Sequence, residues 1–346
     1  MSDRKVRVLV VDDSAFARKV LREVIGAHER MEVVGVARDG VDALEQIEAL
    51  HPDVVTLDLV MPELDGIGVL RALRSRTNPP AVVVVSMADE DSELGVAALQ
   101  AGAFDVVHKP TALALDRLYQ LSDELTAKIL EAAVARRGIL PGVERGPVRK
   151  ASSSPAAKRT TLVVVGASTG GPQAVTRLVG ALPADFPVPV LVVLHMPDGY
   201  TEPFARRLDQ DSAVNVIEAR DDLELRGGQV VIARAGIHLL LRRGEHGWRA
   251  KLDLDPRDTP HRPAVDVLFQ SAAKNAGAGT LGVVLTGMGS DGREGARAIR
   301  AVGGRVLTET ESSCVVYGMP RSVFEAGLSD EAAPIGEMAA LIMKHL

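Results

Sequence analysis

Short valine-rich runs alternate with helical-period segments along almost the whole sequence, and this alternation constrains the fold more than any other feature. The runs are too short for helices, and a strand apolar at nearly every position has to be buried on both faces. Helices between such strands supply the covering layers, so the pattern predicts an α/β fold built on parallel sheets. In the first half the expected strands are Val6–Val11, Val33–Ala37, Val54–Leu57, Ala81–Val85 and Phe104–Val107. A candidate cap or turn follows each: Ser14, Asp39, the Pro62–Gly66 turn, Asp89 and Pro110. Helix one shows the period, with Phe16, Val20 and Val24 on one face beside Leu21 and Ile25.

The helical pattern fades after about Arg137, and the stretch from Arg136 to Thr160 carries seven basic residues against one acidic, with frequent Pro, Gly and Ser. That is the composition of a semi-flexible linker. A second alternating region follows, with strands expected at Thr161–Val165, Val188–Leu194, Val214–Ala219, Val230–Ala233, Gly282–Thr286 and Arg305–Thr308. Ile237–Arg242 and Trp248–Leu254 read as a hairpin around Arg243–Gly247, and a final helix starts at Gly336. At about 150 residues per domain, 346 residues give two domains. The expected boundaries are 1–128, a linker over 129–159, and 160–346.

Composition excludes several classes of function. The balance of 40 basic to 46 acidic residues, net −6, argues against sequence-independent nucleic-acid binding, so the basic linker is not read as a nucleic-acid arm. One cysteine rules out a disulfide framework and any multi-cysteine zinc site. That cysteine, Cys314, is expected as a buried small hydrophobe in the strand-like stretch SSCVVYG. The opening MSDRKVRVLVVDD is not expected to act as a signal peptide, since two aspartates stand where a cleavage site would fall, and no run of about 18 apolar residues occurs. A cytoplasmic protein without membrane insertion is the expectation.

In the first domain, polar residues stand at three strand ends: Asp12 and Asp13 after the first, Asp58 after the third, Lys109 after the fifth. Ligands of open parallel sheets collect at the carboxyl ends of the strands. Three carboxylates there repel one another unless a hard cation sits among them, and Mg²⁺ suits that role. A carboxylate flanked by Mg²⁺ and a lysine can attack a phosphoryl group, and Ser86 can hydrogen-bond the oxygens that arrive. Any one of these aspartates could equally be a helix cap facing water. Jointly, VLVVDDS, TLDLVMPELDG, VVSM and HKP resemble the receiver domain of two-component response regulators, a flavodoxin-like (βα)5 fold. The resemblance implies Asp58 as phosphoacceptor, Asp12, Asp13, Asp58 and the Val60 carbonyl around Mg²⁺, and Ser86 and Lys109 as readers of the phosphoryl group. It also implies a sensor histidine kinase as phosphodonor. Val106 stands where receivers commonly carry a switching aromatic residue.

The second domain opens with TTLVVVGASTGGP, in which Gly166–Gly170 matches G-x-S-x-G directly after an expected strand. A nucleophile elbow needs that context, because a sharp strand-to-helix turn holds the hydroxyl out of the sheet. The same residues also read as a glycine-rich turn that cradles a phosphate, although neither the dinucleotide fingerprint nor the P-loop pattern is met. A serine nucleophile requires a base and an orienting acid. His195 ends an apolar run on the same edge as Ser168; His261, in TPHRPAVD, is the second candidate base, and His238 falls inside a strand. Asp291, in the glycine-rich loop of VVLTGMGSDGREG, is the candidate acid or else a helix cap.

Together VVGASTGGP, LHMP, HRPAVDVLF, TGMGSDG and YGMPR resemble the catalytic domain of the chemotaxis protein-glutamate methylesterase family, commonly called CheB. The resemblance implies Ser168 as nucleophile, His195 as general base and acid, and Asp291 as orienting carboxylate. Backbone N–H groups at Thr169 and Met288 are the candidate oxyanion donors. The family usually has Gln where this chain has Leu194. The implied reaction is hydrolysis of glutamyl methyl esters, and deamidation of glutamines, on chemoreceptors, with no metal in the ester step. Phosphorylation would uncover a Ser168 edge that the unphosphorylated receiver blocks. Two other readings stand beside this one. A binding module without turnover would lack a working Ser-His-Asp set, and a transcriptional regulator would need the helix-turn-helix that the second domain does not offer.

Overall fold

The computed structural model describes residues 4–87, 92–109, 115–137, 159–245 and 247–346. Asp89, Pro110 and the linker residues 138–158 lie outside them. The chain divides into two compact units, Met1–Glu144 and Arg145–Leu346.

The first unit runs β1 (Val6–Val11), α1 (Ala15–Gly26), β2 (Met31–Ala37), α2 (Gly40–Leu50), β3 (Val54–Leu57), α3 (Gly66–Arg74), β4 (Ala81–Met87), α4 (Ser92–Ala101), β5 (Asp105–Lys109) and α5 (Leu115–Arg137). All pairings are parallel, in the order β2-β1-β3-β4-β5. This is the flavodoxin-like order. Val8, Leu9, Val10, Val54, Val55, Val83 and Val84 are fully buried, as strands covered on both faces require. Ser14, Asp39 and Asp65 each cap the following helix through a side-chain oxygen.

Two expectations fail here. Phe16 is 56% exposed, while Leu21 and Ile25 carry the buried face of α1. Phe16 lies in the first turn of α1, and the residues of the helix that are buried begin only at Leu21, in its second half. The boundary at 128 is also misplaced, because α5 continues to Arg137 with Leu125, Ile129, Ala132 and Ala133 buried in helical register. Arg136 fastens that last turn, donating to the carbonyls of Pro52 and Pro79 and to the Asp53 carboxylate.

The second unit runs β6 (Leu162–Ala167), α6 (Gly171–Gly180), β7 (Val190–Leu194), α7 (Thr201–Gln210), β8 (Asn215–Glu218), β9 (Glu224–Leu225), β10 (Gln229–Ile232), β11 (His238–Arg243) and β12 (Trp248–Asp253). It continues through α8 (Val265–Ala276), β13 (Thr280–Val284), α9 (Arg293–Ala301), β14 (Arg305–Glu309), α10 (Met319–Glu325), β15 (Glu331–Ala333) and α11 (Ile335–Lys344). Seven parallel strands are ordered β15-β14-β13-β6-β7-β10-β8, and β11, β12 and β9 form a small antiparallel sheet. The expected hairpin is present, with Arg243 opposite Trp248. SSCVVYG is not a strand. Its Val316 instead bonds the exit of β13, accepting from Gly287 N and donating to Thr286 Oγ1, and the only pairing there is a bridge of Gly287 with Tyr317.

Both sheets have a topological switch point. The chain leaves β1 towards β2 and returns to β3 on the other side; it leaves β6 towards β7 and returns to β13. Loops at such a point diverge above and below the sheet and leave a crevice at the strand ends.

Candidate functional site

The second crevice receives three loops from adjacent strands. Ser168 follows β6, His195 follows β7 and Asp291 lies beyond β13. Ser168 is held by its backbone: its amide donates to the Thr286 carbonyl at 3.0 Å, and its carbonyl accepts from Gly171 N at 2.6 Å. Gly170, with φ of +74°, makes the reversal into α6 that a side chain would strain. His195 continues the ladder, its amide donating to Ala167 O, so its ring leaves the sheet beside the serine turn.

His195 Nε2 lies 2.9 Å from Asp291 Oδ2. With a carboxylate facing Nε2 the proton belongs there, and the lone pair belongs to the buried Nδ1, which has no protein partner. Ser168 Oγ makes no hydrogen bond to that nitrogen in the structure. Asp291 also accepts from the amides of Val265 and Asp266, each at 2.8 Å. Burial opposes its charge, but the His195 contact and these amides together hold the carboxyl below its usual range.

The two other histidines of this region have separate places. His261 stacks on the His195 ring, with centroids 4.1 Å apart. His238 is fully buried and organises the 256–264 loop, accepting from Ala264 N at Nδ1 and meeting the Pro256 carbonyl at Nε2.

The candidate oxyanion residues flank the serine. Thr169 is buried and its carbonyl accepts from Thr286 Oγ1 at 2.9 Å; Met288 is 51% exposed on the loop leaving β13. Leu194 is fully buried against the start of α6, where a Cβ on Gly171 would meet its Cδ1 at 2.4 Å, so this position packs rather than hydrogen-bonds. Cys314 departs from expectation in its surroundings: it sits in a loop, half-buried, and burial with the nearby Glu309 carboxylate pushes its thiol well up. Both effects disfavour the thiolate form that a nucleophilic cysteine needs.

Two participants, Asp266 and Glu309, escaped the sequence reading, while Gly287 belongs to the glycine-rich loop already singled out there. Asp266 bonds the loop of Asp291; its signal was an acidic residue at the second position of a helix. Gly287 packs directly on Ser168, where an added Cβ would stand 2.8 Å from the serine Cβ. Glu309, fully buried at the end of β14, accepts from Thr286 N and Ser313 Oγ, and burial raises its carboxyl above the usual range.

The first crevice gathers Asp12, Asp13 and Asp58, with one oxygen from each within 4.8 Å of the others. Lys109 Nζ bridges Asp12 at 2.7 Å and Asp58 at 2.6 Å. Burial raises the Asp58 carboxyl despite the lysine and the Val60 amide, which both lower it. Burial works against the Lys109 charge, yet its two carboxylate partners raise it overall. Ser86 is buried near the end of β4, and Val106 is buried in β5. A hard divalent cation fits this donor set of carboxylate oxygens.

These features define the class: in one chain, a receiver-type unit with an acidic crevice and a parallel-sheet α/β unit that gathers Ser168, His195 and Asp291 at its strand ends. The family model for CheB methylesterase matches residues 163–342, and that for the response regulator receiver domain matches 8–121. A protein-glutamate methylesterase/protein-glutamine glutaminase 5 of Myxococcus xanthus is 60% identical over 99% of this chain and 98% of its own length. A protein-glutamate methylesterase/protein-glutamine glutaminase of Symbiobacterium thermophilum is 44% identical over 99% of both chains. The crystal structure of the Thermotoga maritima CheB methylesterase catalytic domain covers 55% of this chain and 100% of its own, at 39% identity and a TM-score of 0.53. The chain belongs to the CheB methylesterase family, with a response regulator receiver domain, and is an enzyme of that family. No helix among the described residues is long and apolar enough to cross a membrane.

Proposed function

We propose that the protein hydrolyses glutamyl methyl esters on chemoreceptors, and deamidates particular glutamines, under control of receiver phosphorylation in the cytoplasm. The observation that carries this reading is the His195–Asp291 pair, 2.9 Å apart, beside the serine turn. Ser168 Oγ attacks the ester carbonyl while His195 Nδ1 takes its proton. The same proton then leaves with the alkoxide as methanol, or with the amide nitrogen as ammonia. Water enters, gives a proton to His195, and attacks the acyl-enzyme; that proton returns to Ser168 as the glutamate is released. Asp291 keeps the proton of Nε2 in place and offsets the imidazolium charge. Amides at Thr169 and Met288 would receive the oxyanion; losing one such donor costs on the order of 10²–10³ in rate.

In the receiver, Asp12, Asp13, Asp58 and the Val60 carbonyl would hold Mg²⁺, which when bound offsets charge on the transferring phosphoryl oxygens. Asp58 accepts the phosphoryl group from a sensor histidine kinase, and Lys109 and Ser86 contact its oxygens. The receiver, taken through the end of α5 at Arg137 rather than to 128, carries this switch, and the remainder of the expected linker up to 159 joins it to the hydrolase over 160–346. The unphosphorylated receiver would hold the activity down, and phosphorylation would shift the population to an active state. Deleting residues 1–150 is then expected to raise basal activity; an unchanged or lower rate from a folded fragment counts against that restraint.

Methanol release from methyl-labelled receptor membranes, with and without a small phosphodonor and Mg²⁺, tests the whole reading. Wild type should release methanol faster with phosphodonor, Asp58→Ala should not respond, and Ser168→Ala should release none. No release by phosphorylated wild type on a cognate receptor would favour a binding module.

A further inference from the structure

The helices either side of the Asp291 loop have no capping side chain of their own. The N-cap of α8 is Ala264 and that of α9 is Gly292, and neither makes a side-chain cap bond. Each helix is capped from the other instead. Asp291 accepts the first amides of α8, Val265 N and Asp266 N. In return Asp266 Oδ1, at the second position of α8, accepts Gly292 N at 2.9 Å and Gly295 N at 2.6 Å from α9. Both carboxylates thus sit on the positive end of the other's helix. The exchange needs close helices: a Cβ on Gly295 would lie 2.4 Å from Phe269 Cβ and 3.2 Å from Asp266 Cα.

We propose that Asp266 is a positioning residue of the hydrolytic site, whose cap on Gly292 sets the orientation of Asp291 towards His195 and whose negative charge backs that pair. This rests on the catalytic reading of His195 and Asp291 given above. Asp266 acts through the next residue of the chain: Gly292 directly follows Asp291, so the amide that Asp266 holds belongs to the same peptide as the Asp291 carbonyl. The charged groups facing it are Asp291 and Glu294, the latter already engaged by Arg293 and Arg297. Beyond Asp291 stand His195 and the stacked His261. Burial, with Asp291 as a like charge nearby, pushes the Asp266 carboxyl up to about 6. Above that pH a second negative charge lies behind Asp291 and favours the imidazolium of His195.

Two variants of the full-length protein separate cap from charge. Asp266→Asn keeps an acceptor oxygen for Gly292 and Gly295 but removes the charge; Asp266→Ala removes both. Initial rates of methanol release from methyl-labelled receptor membranes are measured from about pH 5 to pH 9, beside Asp291→Asn. For Asp266→Ala, kcat should fall at least about tenfold with KM unchanged, the mark of a displaced catalytic group. Asp266→Asn should recover most of that rate, with the acid limb of kcat/KM moved roughly half a pH unit or more to lower pH, because the imidazolium has lost a supporting charge. An acid limb in Asp266→Asn that coincides with wild type, while Asp291→Asn is inactive, overturns the proposal and leaves Asp266 a structural cap, even if Asp266→Ala fails to fold. Full activity in Asp291→Asn would overturn the catalytic reading itself, and this inference with it.

Discussion

Gly287 offers the sharpest test of how the loop after β13 positions Ser168, the proposed nucleophile. Its φ is not among the positive values found at other glycines, so glycine is needed there for space rather than for backbone freedom. A Cβ would meet Met319 Sδ at 2.4 Å, Ser168 Cβ at 2.8 Å and Ser168 N at 3.0 Å. Met319 is fully buried and its amide donates to Gly287 O at 2.7 Å, so that side cannot yield freely. Ordinary contact begins near 3.4 Å, so the Ser168 turn and the Gly287–Met288 loop would have to part by roughly 0.6 Å. Overpacking of this kind costs about 1–3 kcal/mol. At 2–4 °C per kcal/mol for a unit of this size, the melting temperature of Gly287→Ala should drop by roughly 2–12 °C. Misplacing a reacting group by about 1 Å costs on the order of 10²-fold, so kcat should fall roughly 10- to 100-fold. Methanol release, with Ser168→Ala as the floor, and a thermal melt of the same samples read both quantities. A variant that melts lower yet turns over at the wild-type rate would refute the claim that this contact holds the serine in register.

Three further perturbations address other parts of the molecule. Chelation of divalent cations should abolish stimulation by a phosphodonor while leaving basal methanol release unchanged; loss of the basal rate would place a metal in the ester step. Arg136→Ala should lower receiver stability by about 1–3 kcal/mol in a denaturant titration, since it strips a donor from the buried Asp53 and two carbonyls; an unchanged midpoint would show that the last turn of α5 is not fastened there. Glu309 has a raised carboxyl in the folded state, so the native protein holds a proton that the unfolded chain loses first. Stability should therefore fall as pH rises from the ordinary glutamate range through the raised value, and Glu309→Gln should flatten that slope; parallel melting curves for the two proteins would show that Glu309 is not its source.

Much of this architecture was legible in the chain because its signals are local. Valine runs such as Val6–Val11 and Val54–Leu57 are strands in any context that buries both faces, and Ser14 and Asp39 announce their helices by the caps they make. The candidate site residues lie at strand ends for the same reason, since a strand's end is written where its apolar run stops. Phe16 misled because periodicity gives a face but not which turns of the helix are buried. SSCVVYG misled because β-branched residues can serve a loop that bonds to one strand exit. The pieces β9 and β15 were too short to show any period.

By itself, then, the sequence determined the two parallel sheets and the edge on which Ser168, His195, Asp291 and the three receiver aspartates must lie. Only the tertiary structure decided which strands are neighbours, and with that the pairing of His195 Nε2 with Asp291, the bridging of Asp12 and Asp58 by Lys109, and the exchange of caps between α8 and α9. Strand order follows from how whole helix–strand units pack around a switch point, and 96 residues separate His195 from Asp291. Over that distance no local propensity acts, and the contact exists only once β6 has β7 on one side and β13 on the other.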